Sequence, residues 1–241
     1  PEASGRGRSG GDAGARREEV APGVDATAAR PQAADPGPAE TGGTPDVDAL
    51  LEEAERAYAA LSSLRAAFEQ RMEVPLLDRS REGRGVWYQK GRSRFRMDFT
   101  EPPDDEVVAD GTYLWIYHPS EQPDQVIRSA LATGAGDSGA PDLLARILSE
   151  ARTAYDARYV GLEQVSGVAT HVVELTPIGR SPYRRVTVWI GVPDRLVRGF
   201  RIVEQNESVR TVTLSDLDPD VALPDSLFRF TPPPGVDVFG G

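Results

Sequence analysis

Residues 83–118 constrain the fold more than any other part of the chain, because they combine dense aromatic content with alternation of apolar and polar positions. Three apolar runs there are separated by breaks at Gly91-Arg92, Glu101-Pro102-Pro103 and Asp110-Gly111. Alternation with a period of two, interrupted by turn residues, predicts an antiparallel meander of short strands. The stretch has more large apolar side chains than a thin sheet needs.

The strands of this meander are predicted to be apolar on both faces. Phe95, Met97 and Phe99 fall on one face of their strand, with Arg94, Arg96 and Asp98 on the other. Asp110-Gly111 predicts a two-residue hairpin in which Ala109 lies opposite Thr112. That register places Val107, Leu114 and Ile116 on one face and Val108, Tyr113, Trp115 and Tyr117 on the other. Something must therefore cover each face.

Two helices are predicted beside the strands. Asp46 can cap a helix whose apolar positions, Val47 to Leu61, recur at steps of three and four. Pro141-Asp142 opens a second, short helix over 141–149. Strands are predicted at 64–74, 84–90, 93–100, 105–109, 112–118, 126–127, 155–160, 170–176, 184–190, 197–204 and 209–214. The fold class is mainly β (α+β): an open, curved antiparallel sheet or half barrel of about eleven strands with an N-terminal helix and a second, short helix.

Composition divides the chain into two parts. Residues 1–45 contain ten Ala, nine Gly and six Pro but no Leu, Ile or aromatic residue, so they are predicted to be a disordered leader or linker. Residues 46–241 form one domain of ordinary size. The net charge of −11 makes nucleic acid a poor partner, since phosphate binding needs a positive field. The chain begins at Pro1 without Met, so a signal peptide is expected to have been removed.

No pattern in the sequence argues for catalysis, a metal or a cofactor. The segment around Ser138 looks like the nucleophile segment of trypsin-like proteases, but His118 and His171 stand in predicted strands rather than in a base motif. Asp104-Asp105-Glu106 lacks the spacing of a calcium loop and is predicted to be a solvated turn. There is no Cys, which excludes thiolate metal sites and a thiol nucleophile. The chain is predicted not to be an enzyme.

Several segments, in order along residues 46–241, resemble the periplasmic lipoprotein carriers of the Lol pathway. These segments are LRAAFEQ at 64–70, Gly85–Lys90, Arg94–Glu101, DGTYLW at 110–115 and LFRFTPPPGVDV at 227–238. The last of them is the most specific.

The resemblance implies an apolar cavity that holds the acyl chains of lipoproteins under a helical lid. By position, the cavity would be lined by Phe68, Phe95, Met97, Phe99, Val107, Leu114 and Ile116. The lid would be formed by Leu143, Leu144, Ile147 and Leu148. The family often has a basic residue followed by Pro after its second strand, and in some members that Arg latches the lid. This chain has Lys90-Gly91-Arg92-Ser93 instead, which makes Arg92 the candidate latch.

The implied function is that of a monomeric, non-catalytic periplasmic carrier. It would take acylated lipoproteins from an inner-membrane ABC transporter and pass them to an outer-membrane acceptor. Two alternatives stay open: a carrier or acceptor of another lipid, and a regulatory sensor on the same half barrel. A serine hydrolase would rest on Ser138 alone.

Overall fold

The structure, a computed structural model, describes residues 45–131 and 141–240, with the backbone alone for 141–146. All of these residues belong to the unit Gly42–Gly241. Residues 1–44 of the predicted leader and residues 132–140 lie outside the described residues.

The described chain is mostly β, with two helices, so the predicted fold class is confirmed. The helices are α1 (Val47–Ala60) and α2 (Pro141–Ala154). The strands are β1 (Ser63–Val74), β2 (Arg79–Lys90), β3 (Arg94–Glu101), β4 (Glu106–Asp110), β5 (Tyr113–Tyr117), β6 (Gln125–Ala130), β7 (Tyr155–Val165), β8 (Val168–Pro177), β9 (Tyr183–Gly191), β10 (Val197–Glu204), β11 (Val209–Pro219) and β12 (Asp237–Phe239).

All twelve strands form one open, curled sheet in the order β12-β6-β5-β4-β3-β2-β1-β11-β10-β9-β8-β7. About eleven antiparallel strands were predicted. The additional strand is β12, which pairs parallel to β6 through Val238 opposite Val126. The Pro-rich segment before β12 carries no alternation that would have predicted it. Strand β2 also begins earlier than predicted, because polar residues from Arg79 onward pair with the end of β1.

Helix α1 follows its predicted pattern closely. The Asp46 carboxylate caps it by accepting hydrogen bonds from the backbone N–H groups of Asp48 (3.0 Å) and Ala49 (3.3 Å). The apolar stripe buries Leu50, Leu51, Ala54 and Tyr58 against the sheet. Helix α2 continues to Ala154, five residues beyond the predicted end, and leads directly into β7.

The predicted hairpin register after β4 is wrong by two residues. Ala109 lies opposite Leu114 and not Thr112. The cause is the Asp110 carboxylate, which accepts hydrogen bonds at 2.7 Å from the backbone N–H groups of Thr112 and Tyr113 and so widens the turn. A shift of two residues keeps every side chain on its predicted face.

The outer face of the β3–β6 region is covered by the C-terminal segment, as its apolar side chains require. Phe228 is 1% exposed. Its neighbour Phe230 packs on Trp115, with ring centroids 5.4 Å apart, and on Tyr117 at 6.1 Å. Lys90 anchors the start of the segment through Asp225 at 2.7 Å. The inner face of the sheet is left to the helices.

Candidate functional site

The seven residues predicted to line a cavity all lie on the inner face of the sheet and belong to one apolar cluster. Phe68, Phe95, Met97, Phe99 and Leu114 are 0–6% exposed, while Val107 and Ile116 are half-buried against the same cluster. The rings of Phe68 and Phe99 meet edge to face with centroids 4.9 Å apart. The interior is thus filled by its own side chains.

A glycine sets how closely the strands approach here. Gly85 of β2 lies between Phe68 of β1 and Phe99 of β3, its register partners. A Cβ at Gly85 would overlap the carbonyl oxygen of Asp98. The absence of a side chain lets both rings meet over the backbone of β2.

Helix α2 roofs part of this interior. Ile147 and Leu148 are 1% and 2% exposed and pack in the same cluster, together with Ala151. Leu143 and Leu144 fall in the first turns of the helix, but their side chains lie outside the described residues. Arg152 joins the helix to α1 through Glu52 (3.8 Å) and Glu55 (3.7 Å).

The magnitudes indicate what holds α2 down. Burying one Ile or Leu side chain contributes about 1.5–3 kcal/mol. An exposed ion pair contributes about 0–1 kcal/mol. Ile147 and Leu148 therefore hold the helix against the sheet more strongly than Arg152 does.

Arg92, the candidate latch, lies in the exposed turn between β2 and β3. No hydrogen bond or ion pair joins it to any residue in the described ranges. Its role as a latch stays a prediction.

Sequence reasoning missed part of the inner face, notably Trp87 of β2 and the pair Tyr58–Gln89. Trp87 is fully buried and lies opposite Ala66 and Met97. Residues 86–88 read Val-Trp-Tyr, so alternation could not tell which of them points inward. The register of β2 with β1, which places Trp87 opposite Ala66, shows that Trp87 is the residue that points inward.

Tyr58 and Gln89 link α1 to the end of β2 inside the apolar cluster. The Tyr58 hydroxyl donates a hydrogen bond to Oε1 of Gln89. Gln89 in turn donates from Nε2 to the carbonyl oxygen of Gly91 at 3.1 Å. Burial raises the pKa of Tyr58 well above its usual value, so the hydroxyl stays protonated and remains a donor.

A second buried cluster corrects the prediction of a solvated turn at Asp104–Glu106. Asp105 is 1% exposed and its carboxylate pairs with Arg81. The same carboxylate accepts hydrogen bonds from the backbone N–H (3.1 Å) and Oγ (2.8 Å) of Ser120. Nδ1 of His118 lies 3.2 Å from it. Burial and the charge of Arg81 lower the pKa of His118, so the imidazole is neutral at pH 7.

A groove of about 550 Å³ lies on the opposite, outer face of β1, β2 and β11. Charged side chains line most of it, including Glu69, Arg71 and Arg84. Ion pairs cross it, such as Arg71–Glu82 at 2.8 Å. Its charge makes it unsuited to hydrocarbon.

The described residues contain no group of His, Cys, Asp and Glu side chains that could hold a metal ion. Within them, neither helix is long and apolar enough to cross a membrane. Ser138 lies outside the described residues. His171 contacts the Tyr159 hydroxyl at 3.3 Å.

A curled antiparallel sheet with an apolar interior roofed by a helix defines a half-barrel protein. The chain belongs to the family described as outer membrane lipoprotein carrier protein LolA, whose pattern matches residues 59–231.

Two relatives named outer-membrane lipoprotein carrier proteins support this assignment. An outer-membrane lipoprotein carrier protein of Alkalilimnicola ehrlichii is 29% identical over 185 residues, covering 76% of this chain and 80% of the relative. One from Klebsiella pneumoniae is 29% identical over 182 residues, covering 74% and 81%. A solved LolA superfamily protein from Nitrosomonas europaea is 18% identical, covers 76% of this chain and 97% of its own, and gives a TM-score of 0.39. Both of these relatives are named as carriers, and neither name describes an enzyme.

Proposed function

We propose that the inner face binds the acyl chains of lipoproteins and that the protein is a non-catalytic carrier of them. The observation that carries the proposal is the single apolar cluster that joins the seven inward residues of the sheet with Ile147 and Leu148 of α2. Sheet and roof share one interior, so lifting the helix would open that interior to a ligand. Family membership supports lipoproteins as the cargo.

The energetics of transfer explain why such an interior is needed. Burying one CH₂ group contributes about 0.8 kcal/mol, so a chain of roughly sixteen carbons held in water would cost on the order of 12 kcal/mol. A carrier offsets this cost with apolar surface of its own. Release then requires that the interior can close on itself, so that ligand binding and collapse nearly balance.

The filled interior of this structure corresponds to the closed, empty state in this scheme. Phe99, Met97 and Leu114 occupy the space that acyl chains would take, and Ile147 and Leu148 seal it. Arg92 is exposed in the turn between β2 and β3, and its role as a latch stays a prediction.

The proposal also includes the compartment in which the protein works and the route along which it moves lipoproteins. The carrier would work as a monomer in the periplasm, with its signal peptide removed. It would accept lipoproteins from an inner-membrane ABC transporter and deliver them to an outer-membrane acceptor. The family description, with its reference to the outer membrane, supports this direction.

A binding titration tests the proposal. A synthetic triacylated lipopeptide should displace a polarity-sensitive dye from the purified protein, and the same peptide without acyl chains should not. Native mass spectrometry should find acylated peptide bound to a monomer. Equal displacement by both peptides would refute acyl recognition, and a preference for free phospholipid over lipopeptide would favour a carrier of another lipid.

The role of α2 as a lid predicts an unusual result for Ile147→Ala. Removing buried methyl groups weakens the closed state by about 2 kcal/mol or more. Because closure competes with ligand, the variant should bind lipopeptide at least as tightly as wild type, and up to about 30-fold tighter if the whole 2 kcal/mol is recovered. Release into acceptor vesicles should slow accordingly.

Glu150→Ala is the matched control, since Glu150 is exposed on the same helix. It should change neither affinity nor release. If Ile147→Ala weakens binding tenfold or more, α2 is a wall of the site and not a lid.

A further inference from the structure

The indole nitrogen of Trp87 is a buried donor for which the described residues offer no acceptor. Trp87 is 0% exposed, and its Nε1 has no hydrogen-bond partner in the part of the chain that the structure describes. Its register partners, Ala66 on β1 and Met97 on β3, both face the interior, so the indole does too. Leaving a buried N–H unpaired costs free energy, and native proteins rarely retain such a group without a use for it.

Two neighbouring polar side chains on this face, Tyr58 and Gln89, are satisfied. The Tyr58 hydroxyl donates to Gln89, and the Gln89 amide donates to the backbone of Gly91. The other two tryptophans also have acceptors: Trp115 donates to Asp110 at 2.8 Å and Trp189 to Glu163 at 2.7 Å. Trp87 therefore differs from the other two tryptophans of this protein, and it lies inside the proposed binding site.

The nearest aromatic ring does not replace the missing acceptor. The rings of Trp87 and Phe95 have centroids 5.5 Å apart and planes inclined by 37°. This arrangement is closer to stacked than to edge-on, and an N–H group in the plane of the indole points away from the face of a stacked ring. No described residue therefore supplies the missing acceptor, and a bound ligand can supply it.

We infer that Trp87 Nε1 donates a hydrogen bond to a carbonyl oxygen at the head of a bound acyl chain. The inference rests on the proposed function and deepens it: the site would recognise the ester or amide that links the chain to the lipoprotein, in addition to its hydrocarbon. A carbonyl is the acceptor that every ester- or amide-linked acyl group brings with it.

Strand β2 leaves room beside Trp87 for the hydrocarbon of the bound acyl chain. The next two inward positions of β2 are Gly85 and Gly83, so the strand presents no side chain there. Phe99 packs closely over Gly83 in the closed state, as a Cβ at Gly83 would lie 2.7 Å from its ring. Displacing that ring would expose a path along the glycines.

Two lipid probes that differ only in linkage test the inference. One is a peptide with an S-diacylglyceryl cysteine, and the other is its ether-linked counterpart, whose oxygens are poorer acceptors. Dye displacement from the full chain should show the ester probe binding about tenfold tighter, which corresponds to about 1.4 kcal/mol. Trp87→Phe keeps an aromatic ring but removes the donor, so the preference should fall below threefold while ether affinity changes by less than twofold.

Trp189→Phe is the matched control, because it makes the same replacement on the outer face. It should keep the tenfold preference. Equal binding of the two probes by wild type, or an undiminished preference in Trp87→Phe, would overturn the inference. Failure of both probes to displace dye from wild type would instead refute the proposed function.

A second measurement covers the case in which Trp87→Phe does not fold. The chain has three tryptophans, so replacing Trp115 and Trp189 with Phe leaves one indole N–H signal in an NMR spectrum of labelled protein. That signal should move downfield with the ester probe and much less with the ether probe. The same shift with both probes would contradict a hydrogen bond to the carbonyl.

Discussion

Replacing Met97 with aspartate is expected to abolish binding of an acylated peptide, lowering its affinity at least 100-fold. Met97 is 3% exposed at the centre of the inner face, between Trp87 of β2 and Val107 of β4. A carboxylate there must be desolvated or protonated before hydrocarbon can cover it, which opposes binding by several kcal/mol. A titration with the triacylated lipopeptide measures the loss, and circular dichroism monitors the fold.

The variant is expected to fold, because an opened interior gives the carboxylate access to water. Ile116→Asp makes the same change at a half-buried position, where the fold is less at risk. Thr100→Asp is the matched control, since Thr100 is exposed on the other face of β3, and it should bind normally. If both inward variants unfold, the interior is a solid core. If either folds and binds as wild type does, the site has been placed wrongly.

Replacing Asp105 with asparagine is expected to lower the free energy of unfolding by about 3 kcal/mol. Removing one partner of a buried ion pair typically costs 3–5 kcal/mol, because the remaining charge is left uncompensated. The lower end applies here, since Arg81 is 22% exposed and also pairs with Glu121 at 3.1 Å. Urea denaturation followed by circular dichroism measures the change.

Asp104→Asn provides the control for this prediction. Asp104 is exposed and has a φ of 68°, a conformation that Asn tolerates well. Its replacement should change stability by less than about 0.5 kcal/mol. Equal effects of the two variants would mean that the Asp105 cluster contributes nothing specific to the fold.

Local pattern predicted the elements whose burial alternates cleanly. The stripe of α1 and its Asp46 cap, the three inward residues of β3 and the hydrophobic face of α2 at Ile147 and Leu148 all follow from spacing, because one side of each element must leave water. The assignment of these residues to a cavity came from the family resemblance and stays a proposal.

Pattern failed at a turn that one side chain reshapes locally, and at places where partners distant in sequence decide the outcome. The turn after β4 is widened by a hydrogen-bonding carboxylate, and β12 exists only because β6 offers an edge for pairing. The burial of Asp105 depends on Arg81, 24 residues earlier in the chain. An acidic triplet in isolation is expected to be solvated. Only a tertiary partner such as Arg81 offsets the cost of burying the Asp105 carboxylate.

The sequence by itself determined the kind of sheet, the face on which each strand of the meander presents its apolar residues, and the presence of two covering helices. These properties are set by local periodicity and by the need to remove apolar surface from water. The tertiary structure decided which residues meet. It placed Trp87 inside with no acceptor among the described residues, left Arg92 in an exposed turn and laid the C-terminal segment on the outer face. Those outcomes depend on strand register and on contacts between distant segments, which no local pattern encodes.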